Sequence, residues 1–183
     1  MAHPVKNPSQ SIRRIIQDGL VSGSIASIAS TISLSILGKA ELGDSAAPVN
    51  GPSQWLWGRH APYQNRFTLR YTIVGYIIHH AASVFWAIWY ERLRQRFAPA
   101  QTVTAVLAPA VITTAAAYMV DFHFTPKRLT PGFEHRLSKP SLLIVYGTFA
   151  LGLAAAALFR RPASPHRSRK KPSRFRSPTR FAR

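Results

Sequence analysis

Two adjacent histidines, His79 and His80, sit in the middle of Tyr71–Tyr90, a stretch with no lysine, arginine, aspartate or glutamate. Chemistry available to such a pair includes proton transfer, because imidazole titrates nearest to neutrality, and metal or haem ligation. Neighbouring residues on a helix point about 100° apart, so the two rings cannot chelate one ion. A bis-histidine haem would need a second copy of the chain. The chain has no cysteine, which removes disulfides, thiolate metal sites and a cysteine nucleophile. A neutral histidine held by a serine, a tyrosine or a freed backbone carbonyl competes with every chemical role, since one donor and one acceptor satisfy the ring.

A second group of chemically capable residues comprises Asp121, His123, Glu134 and His135, with Glu41, Asp44 and His60 elsewhere on the same side of the chain's layout. Asp121-x-His123 and Glu134-His135 have the residue types of an acid–base pair or a metal site. Their spacing fits no defined ligand motif, and the interspersed Lys127, Arg128 and Arg136 offer ordinary surface ion pairing instead. There is no G-x-S-x-G, no H-E-x-x-H and no phosphate-binding glycine loop. No metal or cofactor is implied, and the reading leans away from an enzyme.

The elements that must position these residues follow from how charge is distributed. Net charge is +18, with 24 Lys and Arg against six Asp and Glu, yet none of the 24 falls within Gly19–Gly38, Tyr71–Tyr90, Thr102–Val120 or Ser141–Phe159. Each is close to the roughly 20 apolar residues that span a bilayer. A soluble bundle would carry charge on each helix's outer face every turn or so. The expected fold is therefore all-α: a membrane bundle of four transmembrane helices over residues 1–160. A disordered basic tail follows over residues 161–183. The first apolar run exceeds the usual 7–15 residues of a signal peptide, and the A-x-A-like Ser45-Ala46-Ala47 runs into Pro48, so it reads as a retained span.

Counting Lys and Arg by connection puts 16 with the N-terminal segment, the second connection and the tail, and 8 with the first and third connections. The excess places both ends in the cytoplasm, although the contrast depends on the tail. Asn7-Pro8 reads as an N-cap with proline at the first helical position, and Gly38 as the C-cap of the first span. The first connection, residues 39–69, is rich in Pro, Gly and Asn and holds Trp55-Leu56-Trp57, suited to the headgroup region. Thr130-Pro131 opens a short surface helix in the third connection. The tail has ten basic residues from Arg160, no acid and four prolines, and cannot bury a core. Arg160, Arg161, Arg167, Arg169, Lys170, Lys171, Arg174 and Arg176 are expected to hold anionic headgroups, at about 1 kcal/mol each near the surface. Phe175 and Phe181 could stack on bases or enter lipid, but nucleic acid is the weaker reading.

Helical geometry sorts each span into faces. In the first, Val21, Ile25, Ile28, Ile32 and Ile36 form a bulky arc for lipid. Gly19, Gly23, Ala26, Ser30 and Ser33 form the opposite, small side for close packing, favoured over a polar pathway. In the second, Thr72, Gly75, Tyr76, His79, Ser83, Trp86 and Tyr90 make a polar-aromatic stripe that must face protein, with His80 at its edge. His79 lies ~15 Å from either end of a span ~30 Å long, at the bilayer midplane. Pro109 in the third span frees the Ala105 carbonyl, to which His79 could donate. Thr114, Tyr118 and Asp121 share a face there, and Thr148, Gly152 and Ala156 pack in the fourth.

Gly75-Tyr-Ile-Ile-His-His-Ala-Ala-Ser-Val-Phe-Trp-Ala-Ile-Trp-Tyr-Glu91 and Val120-Asp-Phe-His-Phe-Thr-Pro-Lys-Arg-Leu-Thr-Pro-Gly-Phe-Glu-His-Arg-Leu-Ser138 resemble a group of small proteobacterial membrane proteins. More distantly, the Gly-rich first span and the His-bearing second are similar to the YagU type of inner-membrane protein. The resemblance covers the four spans, not the tail. It implies a bacterial inner-membrane location and supplies no activity or catalytic residue. The leading expectation is a non-enzymatic accessory, assembly or lipid-interacting protein, as a homo-oligomer or within a larger membrane complex. The alternatives are a small proton-coupled carrier using His79, and a membrane enzyme or metal site on the outer connections.

Overall fold

The computed structural model describes residues 8–97 and 102–160. The tail residues from Arg161 onward, and Asn7 with its capping role, lie outside them. Among the described residues every regular element is helical. Helix α1 spans Pro8–Leu42, the short α2 Gln54–Trp57, α3 Val74–Phe97, α4 Val103–Met119 and α5 Lys139–Phe159. A π-helical turn, Leu69–Ile73, leads into α3, and another, Val120–Phe124, extends α4. Four segments are long and apolar enough to cross a membrane: Ile12–Leu42, Leu69–Arg96, Val103–Phe124 and Lys139–Phe159. The chain is an all-α bundle of four such helices, as its segregated charge requires.

The helices outrun the apolar cores read from sequence because charged residues continue the same helical rows beyond the bilayer-length stretch. The N-terminal lead-in is one piece with α1. Gly38 is not the cap. It lies inside α1, where a Cβ would stand 2.6 Å from the Pro48 ring, so packing rather than chain reversal calls for glycine there. The left-handed residue is Gly43, φ 71°, whose N–H bonds to the Lys39 carbonyl at 3.2 Å and closes the helix. Thr102 and Ser138 cap α4 and α5, accepting from the N–H groups of Ala105 and Ser141. Thr130-Pro131 leads only to a 3₁₀ turn, Phe133–His135, since Gly132 at φ 84° breaks any longer helix.

Helix α1 packs against α3 and α5, and α4 against α5 and α3, leaving α1 and α4 on one diagonal and α3 and α5 on the other. The small residues decide this arrangement. A Cβ at Gly152 would meet the Ala26 Cα at 2.5 Å, and one at Gly23 the Val84 Cα at 2.6 Å. Such backbone approach maximises dispersion contact where lipid supplies no hydrophobic drive. Ser22, Ala26, Ser27 and Ser30 are accordingly buried, while Ile28, Ile32 and Ile36 are half exposed or more on the opposite arc.

The connection between α1 and α3 folds as a cap across one end of the bundle. Asn50, fully buried, donates to the carbonyls of Gln64 and Arg66 at 2.8 and 3.2 Å and accepts from Thr72 Oγ1 at 2.6 Å. Gln54 donates to the Thr130 carbonyl at 2.7 Å, tying the cap to the α4–α5 connection. At the other end, Glu91 has no exposed surface. It accepts from Ser22 at 2.9 Å, from Arg94 at 3.0 Å and from Arg160.

Candidate functional site

The stripe read on the second span divides into four parts with different neighbours. Thr72, at the capped end, is a structural anchor through Asn50 and the Thr68 N–H. Tyr76 packs against the core cluster that contains Leu34, Val49 and Phe133, and its ring lies 5.8 Å from that of His80. His80 keeps a buried Nδ1 without a hydrogen-bond partner. His79, Ser83 and Trp86 line a cavity between α3, α4 and α5. Tyr90 is sealed in the core at the opposite end, its hydroxyl 3.4 Å from the Val106 carbonyl.

The cavity leaves about 70 Å³ for the centre of a water molecule to move in, room for a handful of waters at roughly 10–15 Å³ each. Its floor is Ser83, Trp86 and Phe149, and α4 contributes Ala117 and Asp121. Val145 and Tyr146 of α5 form one wall, and Pro52, Trp55, Leu129, Pro131 and Phe133 from the two capping connections form the roof. The folded cap therefore supplies part of the lining, which no reading of isolated spans supplies.

His79 is held by α1. Its Nε2 lies 2.9 Å from Ser30 Oγ, and Ser30 Oγ also stands 2.9 Å from the Ala26 carbonyl. The single Ser30 hydroxyl proton serves either Ala26 or Nε2, and the ring tautomer decides which; in both cases Nδ1 has no hydrogen-bond partner among the described residues. Of the serine, tyrosine and freed-carbonyl partners open to it, the ring meets a serine, and the Ala105 carbonyl beside Pro109 is not used. α1 packs along α3, which sets its small face against His79.

Asp121 stands at the first turn of the π-helical segment and accepts a hydrogen bond from Tyr146 at 2.6 Å. Aromatic rings continue from there, Tyr146 against Tyr118 at 5.2 Å and Phe133 at 6.5 Å, and Phe133 edge-on to His79 at 6.5 Å. The π turn matters because one extra residue per turn rotates the end of α4, a distortion that recurs at functional sites. The other three candidates on the connections do not join Asp121 in a ligand set. His123 is exposed. Glu134 is paired with its neighbour His135 at 3.5 Å, and the His135 ring stacks on Tyr63 at 6.3 Å. Among the described residues no group of three His, Asp or Glu side chains could hold a metal ion.

Arg160 departs from its expected place among headgroup-binding residues. Its guanidinium turns back into the bundle, 2.9 Å from an Asp18 carboxylate oxygen, and donates to Glu91 and the Asp18 carbonyl. Glu91 is the residue this reading overlooked. The four-residue spacing Ser83, Ala87, Glu91 continues the inward face of α3 and puts Glu91 one turn past Ala87 on that face.

Comparisons with family models, curated proteins and solved structures find no match to this chain.

Proposed function

We propose that this chain is a non-enzymatic, lipid-interacting membrane protein that binds a small, membrane-partitioned molecule in the cavity beneath its cap. The observation that carries the reading is the cavity's composition. Aromatic and aliphatic walls surround two polar groups, the Asp121–Tyr146 pair and the Ser30-held His79, as in small-molecule sites generally. A purely scaffolding role would be served by a bundle packed solid at this level. The proposed setting is a bacterial inner membrane with both ends cytoplasmic, and with residues 161–183 against anionic headgroups. Homo-oligomerisation and membership of a larger complex remain compatible with it.

The test is native mass spectrometry of protein extracted in lipid nanodiscs, beside an Ala82→Phe variant that fills the cavity. The expected result is a bound small molecule or discrete lipid on the unaltered protein, absent from the folded variant. Equal occupancy in both, or none in either, would refute the reading.

One observation favours a second reading: His79 lines the cavity while α1 holds its ring. In a proton-coupled carrier His79 titrates as the cargo moves, and His79→Ala would abolish flux in proteoliposomes without unfolding the bundle. Normal flux in that variant removes the carrier. Four spans without an evident inverted repeat would need a dimer for this task.

A further inference from the structure

We infer that the cavity selects organic ammonium cations, recognised by the Asp121 carboxylate and a surrounding aromatic wall. This deepens the binding role proposed above and rests on it.

Charge is the first reason. The chain carries 24 Lys and Arg, yet the cavity wall contains none of them and one carboxylate. Among the described residues no Lys or Arg lies within ion-pair distance of Asp121, whereas Asp18 and Glu91 are both met by arginine. In a protein with such an excess of cations, an uncompensated acid facing a cavity leaves room for a positive charge brought from outside.

The wall is the second reason. Trp55, Trp86, Phe133, Tyr146 and Phe149 present rings to one small space. Aromatic faces attract ammonium groups by their quadrupole, most strongly when water is excluded, and such boxes bind quaternary ammonium.

Hydrogen bonding is the third. Three donors on the wall are already turned to protein acceptors: Tyr146 to Asp121 at 2.6 Å, Trp55 to the Thr130 carbonyl at 3.2 Å, Ser83 to the His79 carbonyl at 2.8 Å. Left open are the Trp86 indole N–H, the His79 Nδ1 and, as the one charged group, the second Asp121 oxygen. A ligand that brings positive charge or N–H groups complements this wall, and an anion does not.

An ammonium head could come from a dissolved amine or from a zwitterionic lipid, so the experiment separates the two. The full chain is placed in nanodiscs of phosphatidylglycerol, which has no ammonium group. Binding of choline is compared with that of 3,3-dimethylbutan-1-ol, its uncharged isostere. A second arm titrates phosphatidylcholine into the disc as competitor. Choline should bind at least tenfold more tightly than the isostere, and Asp121→Asn should erase that preference while leaving isostere binding in place. Competition by phosphatidylcholine assigns the site to a lipid head, and its absence to a dissolved amine. Because the choline-to-isostere ratio is read on the unaltered protein, misfolding of the variant does not blunt the test. Equal binding of the two probes overturns the ammonium inference and leaves the cavity a neutral ligand site. Binding of neither, with nothing on the protein in native mass spectra, overturns the parent reading as well.

Discussion

Replacing Glu91 by alanine tests whether one buried carboxylate ties three helices together. Glu91 has no exposed surface. Its Oε1 accepts from Ser22 of α1 and Arg160 beyond α5, and its Oε2 from Arg94 of its own helix. Deleting one partner of a fully buried ion pair costs about 3–5 kcal/mol, most of it from the charges left behind. Here the two arginines are 21% and 25% exposed and can regain water, and the Ser22 hydroxyl can turn to the Asp18 carbonyl 2.8 Å away. The expected loss is therefore lower, about 2–3 kcal/mol. Arg160→Ala should cost less, because Arg94 still neutralises Glu91. The double variant should fall short of the summed losses by about 1 kcal/mol or more, the mark of direct coupling. Reversible unfolding in mixed micelles, titrated with SDS and followed by far-UV circular dichroism, gives all three values. A Glu91→Ala loss below about 0.5 kcal/mol, the range of ordinary surface substitutions, would refute the assignment. So would strict additivity with Arg160→Ala.

Gly152→Leu should destabilise by more than about 2 kcal/mol, since a Cβ there already meets α1 backbone. Gly147→Ala, where a Cβ meets nothing within 4 Å, should instead gain about 0.5–1 kcal/mol in the same titration. Burial alone would push the Asp44 carboxyl up, but N–H groups of Arg66, Ala46 and Ala47, with the Lys39 charge, hold it below the ordinary carboxylate value. Its contribution is complete above the unfolded pKa of about 4 and disappears as pH falls through the lower folded value. Asp44→Asn should flatten that acid limb of the stability profile, and an unchanged limb would show that Asp44 adds nothing. The chain's lack of cysteine makes Ser45→Cys a unique reporter on the exposed cap. A membrane-impermeant maleimide should label it in intact spheroplasts, and labelling only after lysis would invert the proposed orientation.

The four helices and their lipid-facing arcs were legible in the sequence because a bilayer imposes one-dimensional rules. Charge must leave the span, and a bulky apolar arc opposite small residues needs only helical periodicity to be seen. Val21 through Ile36 on one side, and Gly23, Ala26 and Ser30 on the other, lie as the wheel places them. The inward orientation of His79, Ser83 and Trp86 follows from the same rule. The partners of those residues do not. That Ser30 rather than Ala105 meets His79 depends on which helices are neighbours, and that depends on backbone approach at Gly152 and Gly23. Asp121 became a cavity residue and His123 a surface one through a π turn that adds one residue to a helical turn, with no signature in composition. The roof of the cavity needed Asn50 and Gln54 to fold a Pro- and Gly-rich connection over the bundle. Glu91 was hidden for a related reason: beside three nearby arginines it reads as an interfacial charge, and only the return of Arg160 from the far end of α5 buries it. Sequence by itself determined what must face lipid, because solvent acts on each residue separately. Tertiary structure decided what meets what, because contacts between distant segments are set by the packing of all four helices at once.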